Sequence, residues 1–166
     1  QIDDAMAPKA LAPAREIGMM IGGNFDTEED WQWYVGAFNG NGEWSKTDDN
    51  DPFLVAGRLE YGERDDFLIG VDVAGGSQHG GSSAWEREQL LLVGGHIAAH
   101  WDDNNEDEVN EWMFEGEYLY REVDEDYEGD HTWESDGWWA LLGYWFDPMW
   151  HGHIMVDQYD ADNDFD

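Results

Sequence analysis

The sequence predicts an all-β fold, an antiparallel transmembrane β-barrel of which eight strands are visible, and three observations predict it. Apolar and polar residues alternate with a period of two in eight successive segments, the connections between segments alternate short and long, and aromatic residues gather near segment ends. Successive side chains of a strand point to opposite faces, so each such segment has one apolar and one polar side. A barrel wall between lipid and water requires that arrangement.

In the first segment Ile17, Met19, Ile21, Gly23 and Phe25 share a face; in the second Trp31, Trp33, Val35 and Ala37 do, with Gln32 and Tyr34 opposite. The third sets Val55, Gly57, Leu59 and Tyr61 against Ala56, Arg58 and Glu60. The fourth sets Phe67, Ile69, Val71 and Val73 against Leu68, Gly70, Asp72 and Ala74, and the fifth sets Leu91, Val93, Ile97, Ala99 and Trp101 against His96 and His100. In the sixth Trp112, Phe114, Tyr118 and Tyr120 oppose Glu115, Glu117 and Arg121. The seventh, GWWALLGYWF, is apolar on both faces, and the eighth, HGHIMVDQYD, leaves open whether Met155 or Val156 faces outward. Tilted strands of about 9–11 residues cross a bilayer, and these segments fit.

Short turns are expected at 26–30, 62–66, 102–108 and 147–152, and long Gly- and Asp-rich loops at 39–52, 75–88 and 124–137. Barrels of the outer membrane carry short periplasmic turns on one rim and longer extracellular loops on the other. Trp31, Trp33, Trp101, Trp112, Trp138, Trp145 and Trp150 all lie close to a turn or loop, where interfacial girdles form.

Composition narrows the function classes. With 40 acidic and 7 basic residues the formal net charge is −33, which argues against a nucleic-acid partner and for a setting in which salt or divalent cations screen the charge. The 11 Trp, 7 Tyr and 7 Phe exclude a disordered acidic tail. Absence of cysteine removes disulfides and thiolate metal sites. No run approaches the roughly 18 apolar residues of a spanning helix. Gln1 opens into IDDAMAPKALAPAR with neither a basic start nor an apolar core, so no signal peptide is expected in it, and an exported chain would have had its start processed or cut away.

The runs ALAPAREIGMMIGG, WYVGAFNGNG, NDPFLVAGRLEY, FEGEYLYREVD, SDGWWALLGYWF and DQYDADND, in this order and spacing, resemble the later part of the phosphate-selective porin O and P family. The resemblance implies the outer membrane of a Gram-negative bacterium, a barrel of about sixteen strands of which these eight form part, and a homotrimer. It also implies that residues 1–15 belong to an extracellular loop leading into the first strand, with Arg15 and Glu16 at the junction, that 16–160 hold the eight strands, and that 161–166 begin the next loop. The chain starts in the middle of the family pattern and stops at Asp166 without the terminal aromatic residue, which reads as a fragment, although eight strands could close alone. Phosphate selectivity needs rows of Arg and Lys, and only Arg58 and Arg121 fall on polar strand faces, so anion selectivity does not carry over.

The expected function is a water-filled channel for passive diffusion of small hydrophilic solutes or ions, adapted to high salt, with outer-membrane lipid as its surroundings and no catalysis. Gln32, Tyr34, Arg58, Glu60, Asp72, His96, His100, Glu115, Glu117 and Arg121 are the expected channel-lining residues, and the carboxylates Glu60, Asp72, Glu115 and Glu117 favour cations. The plainer reading of the same charges is solvation of a wet interior. No cofactor is expected. His96 and His100 stand about 13 Å apart along a strand, too far to share a metal without other ligands. Asp160, Asp162 and Asp164 have the spacing of half a calcium loop, but Phe165 stands where Gly is needed and no distal Glu follows, so weakly bound calcium in acidic loops is the most this segment and 102–108 offer. Ser45, Ser77, Ser82, Ser83 and Ser135 have no nucleophile context, and GGSQHGG opens no helix. The alternative is a secreted, salt-adapted β-sandwich whose exposed Trp residues stack on polysaccharide. An enzyme of jelly-roll type would need carboxylates or histidines converging in one pocket.

Overall fold

A computed structural model describes residues 18–25, 30–39, 53–63, 66–79, 87–101, 111–125, 131–147 and 149–161. Eight strands follow one another: β1 (Gly18–Asn24), β2 (Trp31–Phe38), β3 (Leu54–Gly62), β4 (Phe67–His79), β5 (Arg87–Trp101), β6 (Glu111–Glu125), β7 (His131–Asp147) and β8 (Trp150–Asp160). They form a single sheet in sequence order, every pair antiparallel. The all-β expectation holds. Closure of these eight strands on themselves does not, because β1 pairs with β2 alone and β8 with β7 alone. Ile17, residues 1–15, the stretch 102–108 and the half calcium loop at Asp162 and Asp164 lie outside the described residues.

The regular alternation of short and long connections is corrected in part. β4 runs on to His79 and β5 begins at Arg87, while β6 ends at Glu125 and β7 begins at His131. Much of the expected loops at 75–88 and 124–137 is therefore ladder, and the joins 80–86 and 126–130 are no longer than 102–110. Those residues are polar because the hairpins continue past the apolar zone of the sheet, where polarity does not mark the end of a strand.

Each strand forms because its β-branched and aromatic residues occupy one side of a pleat. Cross-strand partners share a face, so the registers sort all eight strands into an outer and an inner set. The outer set is exposed and apolar: Val35, Val55, Ile69, Val71, Val73, Val93, Leu142, Ile154 and Val156 all show more than two-fifths of their surface. Trp31 packs at a tilt against Tyr61 with ring centroids 5.0 Å apart, and Trp112 against Tyr144 at 4.6 Å, while Trp101 stands opposite Trp112. These aromatics fringe the end at which β1–β2, β3–β4, β5–β6 and β7–β8 connect. At the opposite end the outer face turns acidic, with Glu122, Asp124, Glu134, Asp136 and Asp160. Between the two borders no described outer-face residue is charged, in a chain of net charge −33.

The inner set is sheltered. Ala74, Leu92 and Leu119 make one apolar cluster, joined by Ala56 and Tyr159, and Leu54, Leu90 and Val123 make a second, joined by Phe38. The open phase of the last strand is resolved by its partner: Met155 pairs with the buried Leu141 and faces inward, while Val156 pairs with Ala140 and faces outward.

Gly62 ends β3 with φ of 99°, a left-handed value, and a Cβ at this position would strike the Phe67 carbonyl group of the returning strand. Strained backbone of this sort costs on the order of 1–3 kcal/mol in a residue with a side chain. Gly62→Ala is expected to destabilise the protein by at least that much, read as a lower urea midpoint, whereas Gly57→Ala, whose Cβ would find its nearest neighbours at 3.8 Å, should be close to neutral.

Candidate functional site: a polar belt on the inner face

Following the registers across the sheet gives one transverse row with a residue from each strand: Asn24, Gln32, Glu60, Gly70, His96, Glu117, Trp139 and Asp157. Every member except Gly70 carries a polar atom on its side chain. The next row contributes Tyr34, Arg58 and Asp72, which are consecutive partners on β2, β3 and β4. Apolar inner residues border this belt on both sides, Leu54, Leu90 and Val123 toward one end and Leu68, Ala98 and Leu141 toward the other.

At the centre four ionisable side chains interlock. The Arg58 guanidinium donates to Asp72 and reaches Glu60 at 3.4 Å. The His96 ring stands with Nδ1 2.9 Å from an Asp72 oxygen and Nε2 3.0 Å from a Glu60 oxygen. Reaching Glu60 means crossing β4, and Gly70 makes this possible: a Cβ there would collide with the imidazole and lie 3.0 Å from Glu60 Cγ. Gly94 similarly leaves room beside Asp72 and Leu119. Glu117, opposite His96 on β6, accepts a 2.9 Å hydrogen bond from the Trp139 indole N–H, and the Tyr34 hydroxyl donates to the Gln32 side chain at 2.9 Å. A trough of about 650 Å³ runs along this face, lined among others by Gln32, Tyr34, Arg58, Glu60, Asp72 and Glu117.

All ten residues singled out from the sequence fall on the inner face. Gln32, Tyr34, Arg58, Glu60, Asp72, His96 and Glu117 come together in the belt. Glu115 lies one row away, opposite Ala98 and Leu141. His100 and Arg121 lie two rows away on opposite sides, with His100 Nε2 and Arg121 Nε shielded from solvent and without a hydrogen-bond partner. Sequence reasoning missed Asn24, Gly70, Trp139 and Asp157. Trp139 sits in a strand apolar on both faces, so only its partner Glu117 reveals the polar use of its N–H. Among the described residues no helix is long and apolar enough to cross a membrane, and no group of three or more His, Asp or Glu side chains is placed to hold a metal ion.

Charge on the inner face is unbalanced. This face carries the acidic Glu60, Asp72, Glu115, Glu117 and Asp157 beside the basic Arg58 and Arg121. No protein-family model, no curated protein and no solved structure matches this chain.

Proposed function

We propose that the protein is an outer-membrane porin, its eight strands forming part of a larger closed barrel akin to the phosphate-selective porin O and P family, through which small hydrophilic solutes and ions diffuse with a preference for cations. The observation that carries this reading is the outer face: a charge-free apolar band with an aromatic border on one side and an acidic border on the other. A soluble monomer rarely exposes an apolar patch beyond a few hundred Å², and no described element covers this one. Lipid tails are the surroundings in which such a band is stable, provided every backbone donor and acceptor is paired, which is why the free edges of β1 and β8 require further strands. Passage needs no bond making; width and fixed charge of the hydrated trough set the filter.

The single-layer sheet also weighs against the sandwich, in which a second sheet would lie on the apolar face. Two measurements test the proposal. Membrane extraction should require detergent, with gel mobility that changes on boiling. Reconstituted into a planar bilayer, the protein should conduct, with a reversal potential in a salt gradient whose sign reports cation preference. A chain that stays monomeric in salt buffer without detergent overturns the porin.

A further inference from the structure

Resting on the channel reading, we propose that His96 is a proton-dependent selectivity residue: doubly protonated it locks Arg58, Asp72 and Glu60 into a neutral quartet, and on losing a proton it turns that quartet into an anionic filter. The argument is one of donors and acceptors. An ionised carboxylate only accepts, and a neutral imidazole offers one donor and one lone pair. Both His96 nitrogens face carboxylate oxygens, at 2.9 and 3.0 Å, and both contacts are hydrogen bonds only when both nitrogens carry protons. Two cations, Arg58 and His96, then balance two anions, Asp72 and Glu60.

Removal of one ring proton leaves a lone pair against a carboxylate oxygen and a net charge of one negative unit on the wall. The other groups facing His96 are Glu117, opposite it on β6, and His100 on its own strand two rows away; β4 presents Gly70 and Asp72, and β3 presents Glu60 and Arg58. None of these supplies a second cation on release, so the charge change is not cancelled. At about 12 Å in water that unit charge attracts a permeating cation and repels an anion enough to make cation passage about threefold more favoured.

The test reads cation-over-anion permeability of the intact protein in a planar bilayer from about pH 5 to pH 9. Expected is an increase of about threefold with rising pH in the native protein. His96→Gln should show the high-pH selectivity throughout, His96→Lys the low-pH selectivity throughout, and His100→Gln should keep the native step. A step that survives His96→Gln overturns the inference while leaving the channel in place; absence of conductance in the native protein overturns the channel itself. Nitrogen-15 spectra of the native histidines in detergent decide the proton count separately. Two protonated nitrogens on His96 at low pH, falling to one as pH rises, support the quartet, and a singly protonated ring throughout overturns it.

Discussion

Replacing Val71 with Arg is expected to prevent stable insertion of the protein into lipid. Val71 is 57% exposed, lies midway along the uncharged outer run from Phe67 to Gly75, and is flanked in register by Leu59 and Gly95. On the proposed reading it touches hydrocarbon near the middle of the bilayer, where Arg on a barrel surface costs about 2–4 kcal/mol. That is a large share of the stability of an ordinary domain. Urea titration of folding into lipid vesicles should show the loss, and the boiling-dependent gel shift should weaken with it. An Arg at Asp136, beyond the apolar border, should be tolerated. A sheet whose apolar face stands bare to water gives the opposite result for Val71, because an exposed substitution on a soluble surface falls within about 0.5 kcal/mol of neutral.

Gly70→Val is expected to have the second largest effect, through residues it does not ionise. Any side chain at 70 occupies the path of the His96 ring over β4 and presses on Glu60. The ring must leave, and Glu60, only 8% exposed, loses its 3.0 Å partner while Asp72 loses its 2.9 Å one. Both keep Arg58 as a partner, and each lost hydrogen bond to a charged group costs about 1.5–3 kcal/mol. A double-mutant cycle checks the cause. In a His96→Ala background the ring is already gone, so adding the Gly70 substitution should cost much less than in the native protein. Equal costs in both backgrounds would place the damage in the β4 backbone instead of in the quartet.

The belt shows how a sequence conceals part of its own site. Arg58, Glu60, Asp72 and Glu117 announce themselves as charges on the polar side of amphipathic strands, and His96 follows from the same phase. Nothing local to residue 70 distinguishes it from a glycine that merely loosens a strand. Its role exists only once β3, β4 and β5 are in register, because the ring that fills its space belongs to one neighbour and the carboxylate it reaches to the other. Asp157 was hidden for a related reason, since the phase of β8 is fixed by pairing with β7 and not by its own pattern.

Sequence alone determined the eight strands, their antiparallel meander and the faces in six of them, because the period of two is written residue by residue wherever one side of a strand is apolar. The tertiary structure decided how far each hairpin continues, which way β7 and β8 face, and which charges meet. Those depend on register between strands, and polar residues beyond the apolar band carry no local signal that separates continued ladder from loop.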